Sequence, residues 1–356
     1  MRLLFDARYI RTDFHDGVSR YSTELAAAVE RRAPSEVRFL IHDPAQRGLL
    51  PPSARTIRMH APTSPLEPFT AVALNRLHPD VVFTPMPTMG SLGRRYRLIL
   101  TQHDMIYYHH RTPPTNLSPL LRLGWRAFFL SFWPQRLTLN AADVVATVSE
   151  TVRRQFAAAR LTSRPVAVLP NAADDLPRGS VDLSLTPRNL VYMGSFMGYK
   201  NVEALVRATA QLPEHTLHLL SRIAPGRERE LRALAPGARI VCHHGVTDAE
   251  YAALLADRAV LVMPSLDEGY GLPIAEAMAA GVPVIASDLP VFHEVAGDAA
   301  LYFDPSSSVE LRARVRQLDD PELRRALAAA GHRQVERWTW DDTARRLLAV
   351  ARQLAG

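Results

Sequence analysis

Residues 261–287 read LVMPSLDEGYGLPIAEAMAAGVPVIAS, and this run holds a strand, a loop, a helix and a second strand. The apolar stretch to Met263 reads as the first strand. A loop follows through Asp267, Glu268, Gly269 and Gly271. Pro273 suits the first turn of a helix and Gly281 its stop, and the next strand starts at Pro283. Glu268 is thus expected at a strand's carboxyl end and Glu276 one turn into the helix, both at the same rim. The glycines let a ligand approach the backbone closely. The helix start offers unpaired N–H groups and the positive end of a dipole, which suits a phosphate. A plain preference of glutamate for helix starts accounts for Glu276. It does not account for the acid, two glycines and proline before it.

Outward from this run the chain alternates short apolar runs with helical patterns, the mark of parallel α/β layers. In the first half, strands are expected at 2–7, 37–42, 80–85, 96–102, 143–148 and 165–170. Helices are expected at about 19–32, 68–77, 119–140 and 150–159. Residues 171–187 are polar and proline-punctuated and read as a linker. A second series places strands at 189–194, 215–221, 238–244, 259–264, 283–287 and 299–303. Thr247 and Glu250 form a capping box in TDAE. The expected architecture is two doubly wound α/β domains, 1–185 with the linker and 186–338, facing across a cleft. Ligands of such sheets bind beyond the carboxyl ends of the strands. Residues 339–356 read as a separate amphipathic helix crossing back to the first domain.

Composition limits the function. The chain has 356 residues, 47% of them hydrophobic, enough for about two cores. No stretch approaches the ~18 apolar residues of a spanning helix. The opening MRLLFDARYI reads as a strand rather than a secretory leader, so a cytoplasmic place is expected. Cys242 is the sole cysteine and Lys200 the sole lysine. Residues 1–185 carry 23 Arg against 15 acids, +8, and the rest carries 19 Lys and Arg against 21 acids, −2. The basic half fits an anionic acceptor, the inner face of a membrane, or merely an Arg-rich soluble face. Nucleic acid is disfavoured, because no basic run is interleaved with aromatics in a recognised pattern. In LRLGWRAFFLSFWPQRL (121–137), Trp125, Phe128, Phe129, Phe132 and Trp133 are read on one helix with Arg122, Arg126 and Arg136. An interfacial helix is one reading, and core or acceptor-cleft aromatics are the other. No D-x-D occurs, and neither histidine pair, 109–110 or 243–244, has zinc spacing, so no metal is expected. G-x-G-x-x-G is absent at GSFMGYKN, which disfavours a nicotinamide enzyme.

PSLDEGYGLPIAEAMAAGVPVIASD resembles the E-x7-E segment of glycosyltransferase family 4, retaining enzymes of the GT-B fold. The similarity runs on through GVSRY (17–21), TQHD (101–104), TVSE (147–150), LPNA (169–172), YMGSFMGYKN (192–201), HHGVTDAEYAALLADR (243–258) and GDAALYFDP (297–305). It implies a nucleotide-diphosphate sugar donor, GDP-mannose before a UDP-sugar. The hydroxyl acceptor would be a glycan, a lipid-linked molecule or a small molecule. No cofactor is implied. By this resemblance Glu268 lies beside the donor sugar and Glu276 binds the ribose hydroxyls. Backbone at Gly269, Tyr270, Gly271 and Leu272 contacts sugar and diphosphate, Lys200 binds phosphate, and Gly17 closes over the diphosphate. His103 lies near the sugar, while Asp104 is expected to hold backbone. Many members carry an arginine beside the lysine. Here Ser195 and Tyr199 stand at the candidate positions, so that charge is either missing or supplied elsewhere, with Arg222 after the next strand the candidate, and Ser195 and Val246 complete the donor set. A GT-B sugar-nucleotide 2-epimerase and a non-catalytic partner subunit of the same fold are the alternatives. A donor-only incubation separates the first of these from a transferase.

Overall fold

The computed structural model describes residues 1–13, 16–113, 118–173 and 181–356. Residues 174–180 of the expected linker lie outside them. The chain divides into two compact units, Met1–Asn171 with Trp338–Gly356, and Ala172–Arg337. The division falls at 171/172, not after 185. Arg324 shows why 181–185 goes with the second unit: its guanidinium donates to the carbonyls of Leu183 (2.9 Å) and Ser184 (3.1 Å).

Among its described residues the first unit holds seven parallel strands: β1 (Leu3–Asp6), β2 (Val37–Ile41), β3 (Thr56–Arg58), β4 (Val81–Thr84), β5 (Arg97–Thr101), β6 (Val144–Thr147) and β7 (Val166–Val168). Their order is β3-β2-β1-β4-β5-β6-β7. Strands β1, β4 and β6 are buried at every position, as parallel strands covered on both faces must be, and their sequences are correspondingly apolar. The edge strand β3 is a three-residue piece absent from the sequence-based assignment. Helix Trp340–Ala355 lies along helix Gly17–Arg32. Thr343 Oγ1 donates to the Pro170 carbonyl at 2.7 Å, and Arg352 and Arg31 pair with Glu36 and Asp341.

The expected helix over 119–140 is two helices, Pro119–Phe128 and Trp133–Asn140. Pro134 sits in the first turn of the second one. It has no N–H, and its ring would collide with the carbonyl four residues back, so a through-going helix is excluded. Trp125 and Phe128 therefore lie on one helix, Trp133 on the other, and Phe129 and Phe132 between them.

Among its described residues the second unit holds six parallel strands: β8 (Asn189–Tyr192), β9 (Thr216–Leu219), β10 (Arg239–Cys242), β11 (Ala259–Met263), β12 (Val284–Ser287) and β13 (Ala300–Phe303). Their order is β10-β9-β8-β11-β12-β13. β8 and β11 pair with Leu190 beside Val260 and Val191 beside Leu261. Thr247 and Glu250 form the capping box read from the sequence. Helix Leu272–Ala279 ends as expected at Gly281, in the left-handed region at φ 74°. There the Gly281 N–H bonds the Met278 carbonyl and the Val282 N–H bonds that of Ala277.

Candidate active site

The second sheet reverses its strand order between β8 and β11. At such a switch point neighbouring crossovers leave to opposite faces, and a crevice opens at the strands' carboxyl ends. Lys200 lies on the segment leaving β8, and Glu268 on the segment leaving β11. Sixty-eight residues apart in sequence, they form an ion pair, Lys200 Nζ to Glu268 Oε1 at 2.5 Å. Both are largely enclosed, and Glu268 retains 8% exposure. Ser265 Oγ donates to the same carboxylate oxygen at 2.9 Å.

The two loops are tied together by backbone. Leu266 N–H donates to the Tyr199 carbonyl at 2.7 Å. Asn201, left-handed at φ 52°, donates through its amide to the carbonyls of Pro264 (3.1 Å) and Pro305 (2.8 Å). Asparagine tolerates that backbone better than most residues. Ser265 and Asn201 are therefore positioning residues that sequence reasoning did not single out. The signal for Asn201 was its place directly after the sole lysine.

Helix Leu272–Ala279 starts at Gly271, with no side-chain cap. Gly271 has φ 103°, and a Cβ there would come within 2.8 Å of the Phe292 ring, so only glycine fits. Helices Val202–Thr209 after β8 and Pro225–Leu234 after β9 also start without a side-chain cap. The helix after β10 is capped by Thr247. The helix after β12, Pro290–Ala296, is uncapped as well, so what matters at the switch point is that both helices following β8 and β11 start with N–H groups an anion can satisfy. Gly269, Tyr270 and Leu272 are buried in this turn, and burial pushes the Tyr270 phenol above the usual range. Glu276 is deeper still, at 2% exposure.

The structure also brings Arg222 and Val246 together. Arg222 follows β9, and its stem lies over Gly245, whose added Cβ would sit 3.4 Å from Arg222 Cγ. Gly245 N–H bonds the Leu220 carbonyl at 2.8 Å, which holds the β10 loop and half-buried Val246 beside Arg222. Ser195 is exposed after β8, and its carbonyl accepts from the buried Tyr192 hydroxyl at 2.6 Å. Among the described residues no three His, Cys, Asp or Glu side chains gather into a cation site.

His103 and Gly17 belong to the first unit. Gly17 is the first residue of its helix rather than part of a loop, capped by Asp16, which accepts from Ser19 N–H. A Cβ at Gly17 would meet open space, so nothing nearby demands a glycine. His103 follows β5, and Nε2 donates to the Pro85 carbonyl at 2.8 Å. A carbonyl only accepts, so the neutral ring carries its proton on Nε2 and presents Nδ1 as an acceptor. Tyr21 meets the ring edge-on at 5.1 Å. Asp104 accepts the Ile106 N–H and holds backbone.

Burial pushes the His103 pKa below its ordinary 6.5, against smaller opposing contributions from Pro85 and Asp16. With the folded value lowered, the unfolded chain takes up the proton first as pH falls. His103 therefore contributes full stability above about 6.5 and loses it below, by at most about 1.4 kcal/mol per pH unit. We expect the melting-temperature gap between wild type and His103→Gln to narrow from pH 7.5 to 5.5. A gap constant with pH would contradict this.

Residues 15–175 match the sequence profile "Glycosyltransferase Family 4", and residues 187–320 match "Glycosyl transferases group 1". The chain belongs to glycosyltransferase family 4. One relative is the MMP α-(1→4)-mannosyltransferase of Mycolicibacterium hassiacum, 37% identical over 161 residues, 42% of this chain and 39% of that protein. Across the first relatives found, the matched stretch is 22% to 59% of their own length. Among solved structures, sucrose-phosphate synthase of Thermosynechococcus elongatus superposes with TM-score 0.77 at 21% identity, over 99% of this chain and 98% of that one. HepE of Anabaena, in complex with UDP and glucose, gives TM-score 0.72 at 18% identity, over 98% of this chain and 99% of that one. These likenesses show the GT-B fold.

Proposed function

We propose that this family 4 chain is a retaining glycosyltransferase that moves a hexose from a nucleoside-diphosphate sugar to a hydroxyl acceptor. The observation that carries the reading is the Lys200–Glu268 pair at the switch point, among uncapped helix starts. A diphosphate entering there takes the Lys200 ammonium from Glu268 and meets the N–H groups at Gly271 and Leu272. The bond from the anomeric carbon to the diphosphate oxygen breaks, and the acceptor oxygen bonds that carbon from the same face. The acceptor's proton passes to the departing phosphate oxygen. Glu268, steadied by Ser265, borders the sugar and its developing positive charge. Glu276 accepts from the ribose hydroxyls, and Arg222 supplies the second charge beside Lys200. His103 Nδ1 is suited to accept from a sugar hydroxyl.

Mannose is the favoured hexose because the Mycolicibacterium relative is named a mannosyltransferase. GDP-mannose leads, and a UDP-sugar follows because HepE was solved with UDP. The test is thermal stabilisation of the full chain by GDP-, UDP-, ADP- and dTDP-sugars, with and without EDTA. One donor class raises the melting temperature, since a ligand bound only to the folded state stabilises it. The rise and the transfer activity persist in EDTA, because Lys200 and the helix starts do the neutralising. No shift with any donor would sink the reading, and a shift abolished by EDTA and restored by Mg²⁺ or Mn²⁺ would sink its metal-free form.

A further inference from the structure

The crossover from β5 to β6 presents an apolar, cationic face that the reaction does not use. Helix Pro119–Phe128 has no buried residue. Leu120, Leu123 and Leu130 are 79%, 63% and 66% exposed, and Trp133 is 64% exposed on the helix that follows. The other aromatics turn inward. Phe129 and Phe132 pack on the core formed by Met105, Tyr108 and Leu139. Trp125 meets Tyr107 at 5.1 Å and Phe129 at 4.6 Å. The ring cluster pins the helices, and the leucines are left outside. Pattern reading had weighed the aromatics as the interfacial group, and it is the leucines with Trp133 that occupy the surface.

Charge on the same stretch has one sign. From Met105 to Ala142 the sequence has Arg111, Arg122, Arg126 and Arg136 and no Asp or Glu. With 36 acids in 356 residues, the chain average would put about four there. Arg136 is engaged with the carbonyls of Arg160 and Ala159. Arg111 is exposed and reaches the Tyr108 carbonyl, while exposed Arg126 and half-buried Arg122 share their helix with outward Leu120 and Leu123.

We infer that this face docks on a bilayer surface bearing anionic lipid headgroups. Exposed leucines and a tryptophan enter the acyl boundary while arginines meet phosphate, the division of labour of an interfacial helix. A second copy of this chain is the weaker occupant, because a two-fold interface would set the same acid-free arginines against one another. Among the described residues no helix is long and apolar enough to cross a membrane, so the contact lies on the surface. His103 and the exposed leucines lie on the same crossover between β5 and β6.

The test is co-sedimentation of the full chain with vesicles of phosphatidylcholine alone and of phosphatidylcholine with an equal part of phosphatidylglycerol. The chain pellets with the mixed vesicles at low salt and is released as salt rises. Leu120→Glu/Leu123→Glu lowers partitioning by more than about tenfold, and Arg122→Gln/Arg126→Gln by about fivefold per arginine. Both variants keep the wild-type melting temperature, because the changed side chains lie outside the core. No pelleting at low salt, or equal pelleting with both vesicles, overturns the inference. So does self-association of the wild type in sedimentation velocity that the leucine variant dissolves, or capture by an acidic protein with no vesicle binding. Donor binding is read separately without vesicles, so failure of either result leaves the other standing.

Discussion

Lys200→Ala will lower kcat by about 10²–10³-fold with the fold intact. In the proposed reaction the ammonium acts on charge that grows as the diphosphate leaves, so its loss falls on turnover and not only on donor binding. A preorganised donor to such charge is worth about 2.7–4 kcal/mol of barrier. A variant that turns over within about tenfold of wild type at saturating donor would remove Lys200 from the chemistry.

The pair with Glu268 sharpens the test. Lys200→Ala leaves a largely enclosed carboxylate held only by the Ser265 hydroxyl among its identified partners. A stray negative charge near the phosphates could slow the reaction by itself. Lys200→Ala/Glu268→Gln removes that charge, so recovery of turnover in the double variant would mean Lys200 merely neutralises Glu268. We expect no recovery, because in the proposed reaction the leaving diphosphate needs the cation.

The strands were legible because buried parallel strands must be apolar, and β11 (AVLVM) and β4 (VVFT) are. β3 was not, because three partly covered edge residues carry no pattern. The helix over 119–140 was drawn too long because leucines and aromatics kept their spacing across Pro134. Glu268 was placed by its strand–loop–helix pattern and Lys200 stood out as the sole lysine, while their roles came from the family resemblance. Their contact follows from the pairing of β8 with β11, which no local pattern contains. Ser265 was invisible for the same reason, an ordinary loop residue until the two strand ends meet, and Asn201 had only its place after the sole lysine to mark it. Arg222 could be placed because it directly follows a strand, but its stacking over Gly245 depends on a neighbouring strand's loop.

The least legible group is also the one whose loss should cost most stability. Arg8 follows β1 by two residues and is 2% exposed. Each of its five N–H donors has a partner. Nε and Nη2 hold Asp6 at 2.8 and 2.9 Å, Nη1 and Nη2 hold Glu67 at 2.8 and 3.0 Å, and Nη1 also reaches the His60 carbonyl at 3.1 Å. An arginine after an apolar strand usually reads as a surface residue, and Glu67 lies 59 residues away. Arg8→Leu preserves much of the volume but leaves two buried carboxylates side by side without their cation. Removing one partner of a buried charge group costs about 3–5 kcal/mol. We expect chemical denaturation to show a loss of that size, with the first unit unfolding before the second. Adding Asp6→Asn and Glu67→Gln to Arg8→Leu should recover a large part of it, because the cost lies in the uncompensated charges and not in the missing side chain. A triple variant no more stable than Arg8→Leu would instead put the energy in packing around the guanidinium.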